Sequence, residues 1–63
     1  MNRPAPRYRL RCWRQLGTLA IVAASDDLDK MMNKARNYPH WELSEYTGDA
    51  NGVATYRLKE ESA

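Results

Sequence analysis

Cysteine is nearly missing from this sequence: Cys12 is the only one, so no disulfide can close within the chain. Secreted domains of this size lean on two or more such bridges, so a reducing, cytoplasmic setting is the expectation. Long apolar runs are missing too. The longest, Leu19 to Ala24, is far too short to span a bilayer, and no membrane partner is expected. No apolar stretch follows Met1. The N-terminal segment instead carries arginines, which does not resemble a secretion signal.

The motifs of cofactor chemistry are equally scarce. There is no GxGxxG and no GxxxxGK[ST], so neither glycine-rich phosphate cradle is present. One cysteine and one histidine, Cys12 and His40, fit no zinc-ligand spacing. They also lack an evident third group to complete a nucleophilic triad. The segment from Gly48 to Gly52 loosely resembles a calcium loop, but no glutamate stands at the required distance, so it reads as a hairpin turn. Asp26, Asp27 and Asp29 are accounted for by a helix start. No catalytic residue, metal or cofactor is expected. Length points the same way: 63 residues make one domain, burying only about 60% of its unfolded surface and leaving little room for a walled pocket.

What the sequence does hold is a lopsided charge. Residues 1–14 contain Arg3, Arg7, Arg9, Arg11 and Arg14 and no acid, giving +5. Residues 15–63 contain five bases and eight acids, giving −3. Such a chain can present one end to an anion or pair with itself.

Patterning divides the chain into elements. Residues 1–6, with Pro4 and Pro6, read as a flexible arm. From Arg7 to Arg14 the side chains alternate, Tyr8, Leu10 and Cys12 on one face and Arg7, Arg9, Arg11 and Trp13 on the other, as in a half-buried strand. Gly17 marks a turn, and Thr18 to Ala24 reads as a second strand. A tight turn would set Cys12 opposite Ile21 and Leu10 opposite Ala23. Ser25 is the expected N-cap of a helix whose apolar stripe is Leu28, Met31, Met32 and Ala35, closed before Pro39. Trp41 to Tyr46 and Val53 to Lys59 read as a return hairpin around the Asn51-Gly52 turn. Pairing Tyr46 with Val53 would set Leu43 opposite Tyr56, Trp41 opposite Leu58 and Glu42 opposite Arg57. Residues 60–63 read as a frayed tail.

The expected fold is α+β, with the order β-β-α-β-β. One helix covers one face of a four-stranded antiparallel sheet of strand order 2-1-3-4, formed by residues 7–59. The expected core is Tyr8, Leu10, Cys12, Leu19, Ile21, Leu28, Met31, Met32, Ala35, Trp41, Leu43, Tyr56 and Leu58.

The face without a helix is the functional candidate. Arg7, Arg9, Arg11, Trp13, Tyr46 and Arg57 would gather there over Ala20, Val22 and Val53. Arginine, tryptophan and tyrosine are enriched at protein-binding hot spots. The same set could meet nucleic acid, with arginines on phosphates and aromatics under bases. It could also join two copies into a homodimer, or simply keep an exposed sheet soluble. The layout of hairpin, short helix opening Ser25-Asp26-Asp27-Leu28, and Trp41-bearing return hairpin resembles small accessory proteins of phages and mobile elements. That resemblance implies a protein that inhibits or redirects a host machine such as RNA polymerase or a defence nuclease. It is one of layout and transfers no functional residue. A non-enzymatic binding module with a protein partner is the expectation.

Overall fold

The structure is a computed structural model and describes residues 4–62. Its elements are β1 (Tyr8–Gln15), β2 (Thr18–Ser25), α1 (Leu28–Ala35), β3 (His40–Ala50) and β4 (Val53–Glu61). The strands form one antiparallel sheet in the order β2-β1-β3-β4, as the patterning predicts. No helix among the described residues is long and apolar enough to cross a membrane.

Alternation in β1 builds the core. Tyr8, Leu10 and Cys12 point to the helix side and are buried, and Leu43 of β3 stands opposite Leu10. Met31 and Ala35, four apart on α1, press onto these strands. Ile21, Ala23, Leu28, Met32, Tyr38 and Trp41 pack around them. The expected register of β1 and β2 is observed, with Leu10 opposite Ala23 and Cys12 opposite Ile21.

Capping differs from the expectation by two residues. Ser25 ends β2, and its hydroxyl accepts from the Asp27 amide at 3.0 Å. Asp27 is the N-cap, its carboxylate accepting from the Lys30 amide at 3.1 Å. Asp26 accepts instead from the Arg7 amide at 2.8 Å. Of the three aspartates, only Asp29 lies in the first turn.

A helix of eight residues is about 12 Å long. It packs chiefly against β1 and β2. The outer hairpin, β3 and β4, therefore leans on local chemistry. Asn51 and Gly52 both have positive φ, 53° and 80°, the two-residue turn that suits twisted strands. They pair Ala50 with Val53, so β3 runs four residues beyond Tyr46. The pairing expected from Tyr46 to Val53 is not formed.

Four register shifts interrupt the ladders, skipping Arg14 and Ala20 between β1 and β2 and Thr47 and Lys59 between β3 and β4. In β3, Thr47 is an extra residue between the pairs Tyr46–Tyr56 and Gly48–Thr55. Gly48, with φ 141°, takes the backbone angle that the bulge requires. The Thr55 hydroxyl donates to the Gly48 carbonyl at 2.9 Å and lies 2.8 Å from the Thr47 hydroxyl, pinning the bulge. In β2, Ala20 is the extra residue between the pairs Cys12–Ile21 and Trp13–Leu19.

These bulges correct three core assignments. A one-residue slip moves every later side chain to the other face. Leu19 therefore sits opposite Trp13, and Tyr56 and Leu58 stand opposite Tyr46 and Ser44, all away from the helix. Leu19 is 52% exposed and Leu58 49%. The chain end also departs from expectation. β4 continues to Glu61, and Ser62 binds Trp41 through its backbone amide, 3.0 Å from the Trp41 carbonyl, and through its hydroxyl. In the N-terminal arm, the Pro6 carbonyl accepts from the Tyr56 hydroxyl; residues 1–3 and 63 lie outside the described residues.

Candidate binding face

The face without a helix is built on β1. Because Tyr8, Leu10 and Cys12 must bury, Arg9, Arg11 and Trp13 emerge on the opposite side. β2 adds Leu19 and Val22, opposite Trp13 and Arg11. β3 adds Glu42, Ser44 and Tyr46, and β4 adds Tyr56 and Leu58.

Two arginines lie over aromatic rings. The Arg9 guanidinium lies 3.9 Å from the centre of the Tyr56 ring. Tyr56 meets Tyr46 edge to face, with centroids 5.7 Å apart and planes at 68°. Arg11 lies 5.2 Å from the Trp13 ring centre and 3.8 Å from the Glu42 carboxylate. Each cation–π contact of this exposed kind contributes about 0.5–1 kcal/mol. Such a contact also restricts a long side chain, which lowers the entropy that ordering it would cost. Hydrogen bonding to Asp49, then partial burial, raises the Tyr46 hydroxyl above its ordinary pKa, so Tyr46 stays a neutral donor at physiological pH.

Of the six residues singled out in the sequence, four share this face: Arg9, Arg11, Trp13 and Tyr46. Arg7 precedes β1 and stands at the rim, beside Asp26, Glu45 and Tyr46 around a shallow hollow. Its backbone ties the rim down, the amide donating to Asp26 and the carbonyl accepting from Tyr46 at 2.8 Å. Arg57 is a correction. The Thr47 bulge places it opposite Glu45, on the helix side of the sheet, so it does not join the arginines. Val53 lies at the hairpin tip. Tyr56, Leu58 and Leu19 were missed because strict alternation has no place for an inserted residue. The available signal was Gly48 inside a strand-like run, a mark of a bulge.

The groups considered for chemistry are not wired together. His40 borders an open hollow of about 430 Å³ with Trp13, Glu42, Glu61 and Ser62. Ser62 is engaged with the Trp41 backbone, and among the described residues no hydrogen bond links His40 to either glutamate. Burial pushes the Cys12 thiol pKa up, partly offset by the nearby Lys34 charge, which leaves it protonated and inert. Among the described residues no cluster of three His, Cys, Asp or Glu side chains could hold a metal ion.

Comparison with protein-family models, with curated proteins and with solved structures found no match.

Proposed function

We propose that this chain is a non-enzymatic binding module that docks on a protein through the open face of its sheet. In this reading it inhibits or redirects a larger host machine such as RNA polymerase or a defence nuclease. The supporting observation is the pair of stacked arginines, Arg9 on Tyr56 and Arg11 on Trp13, set among uncovered Leu19, Val22 and Leu58. Rigid aromatic and arginine anchors on an apolar floor are what protein hot spots are made of.

Charge favours protein over nucleic acid. Glu42 and Glu61 oppose each other on the same face as Arg9 and Arg11, so the face is close to neutral. A phosphate-tracking surface needs a surplus of cations and loses affinity steeply with salt.

The test is capture from a bacterial lysate with tagged wild type and with the Arg9→Ala/Trp13→Ala variant, each with and without nuclease. The proposal expects a protein held by wild type alone, nuclease or not, and little weakened by salt. Recovery of nucleic acid alone, lost after nuclease, would transfer the face to the nucleic-acid reading. A mass that rises with concentration and drops in the variant would make the face a homodimer interface.

A further inference from the structure

The two edges of the sheet are guarded unequally. β4 carries Arg57, Lys59, Glu60 and Glu61, the kind of charged edge that discourages strand addition. β2, at the other edge, has no charged residue and no proline from Thr18 to Ser25. From Ile21 to Ser25 it is regularly paired on its inner side only. Among the described residues, its outer row of backbone donors and acceptors has no strand to meet.

Charge lies beside this edge instead of on it. Lys30 and Lys34, one turn apart on α1, line a hollow of about 370 Å³ with Ala23, Ala24 and Ser25. The small alanines leave the space open. Among the described residues, neither lysine is in an ion pair. An uncharged strand edge under two free ammonium groups recognises a definite chemistry.

We propose that the β2 edge is a strand-addition site for an extended acidic segment of a partner protein. The segment's backbone would extend the sheet at β2, and carboxylates on its helix-facing side would meet Lys30 and Lys34. Spacing agrees. Alternate residues of a strand are about 6.7 Å apart, and four residues of helix rise about 6 Å. The recognised pattern is therefore acid-x-acid. A second copy fits less well, because two-fold pairing through β2 would crowd like-charged lysines from both helices over one sheet. Nucleic acid could pair with the lysines but could not continue the backbone ladder.

The site is separate from the open face, so the two stand or fall independently. The test uses the full chain labelled with nitrogen-15 and a short capped peptide of alternating valine and glutamate. Controls are the same peptide with glutamine, and with lysine, in place of glutamate. Expected are amide shifts confined to residues 20–25 and 30–34, with slowed hydrogen exchange along β2. Glutamine should weaken binding about tenfold, the ~1.4 kcal/mol of a lost charge contact. The Lys30→Glu/Lys34→Glu variant, checked for native circular dichroism, should reject the glutamate peptide and accept the lysine peptide. Arg9→Ala/Trp13→Ala should bind the glutamate peptide as wild type does. Equal binding of glutamate and glutamine peptides, shifts elsewhere or none at all, or a free protein already dimeric with protected β2 amides would each overturn the proposal.

Discussion

The two hairpins of this sheet are held by different forces. β1 and β2 lie under α1, and the buried side chains Tyr8, Leu10, Cys12, Met31, Ala35 and Leu43 centre on β1. The outer hairpin has only Leu43 fully in that core; β4 has no buried residue. It is shaped instead by a positive-φ turn, a pinned bulge and the Tyr46–Tyr56 contact. The inner hairpin thus supplies stability and the outer one geometry. The candidate binding face spans both, with arginines from the first stacked on, or ion-paired to, groups of the second.

That contrast can be broken from either side. The largest effect belongs to Leu10→Ala, which empties the centre of the core. A loss of about 2–5 kcal/mol is expected from such a change, enough to unfold a domain this small. Loss of the cooperative transition in urea would show it. Gly52→Ala probes the other half. Its φ of 80° disfavours any side chain, while an added Cβ would meet nothing within 4 Å, so the cost is conformational, about 1–2 kcal/mol. Hydrogen exchange should quicken in β4 and at the end of β3 while β1 and β2 keep their protection. Arg9→Ala/Trp13→Ala removes surface contacts and should lower stability by only about 1 kcal/mol in denaturant titration.

The smallest effect is a pH dependence. The Cys12 pKa is raised by burial, so the folded state favours the neutral thiol. Its contribution is complete below the ordinary thiol value of ~8.5 and falls away as pH climbs from there through the raised folded value. Thermal melts from neutral to alkaline pH should decline less steeply for Cys12→Ala than for wild type.

The fold was legible because its strongest signals were local. Alternation in β1 named the buried trio, the Leu28–Ala35 stripe named the helix, and the crossover rule gave the strand order. The face was legible only where strands run without interruption. Arg9, Arg11, Trp13 and Tyr46 could be placed by counting in twos. Arg57, Tyr56, Leu58 and Leu19 could not, since each lies past a bulge in its ladder. A bulge costs the sequence one residue and leaves no apolar mark, and only Gly48 hinted at one of them. The cap moved from Ser25 to Asp27 for a related reason: Ser, Asp and Asp in succession all suit an N-cap, and tertiary pairing of Ser25 in β2 decides among them.

If the open face docks on a protein, as proposed, its binding is separable from the stability of the fold. The direct measurement is to take Arg9→Ala/Trp13→Ala and wild type through denaturant unfolding and partner capture side by side. Expected are a cooperative unfolding transition in both and a nuclease-resistant protein partner held by wild type alone. Full capture by the folded variant would contradict it.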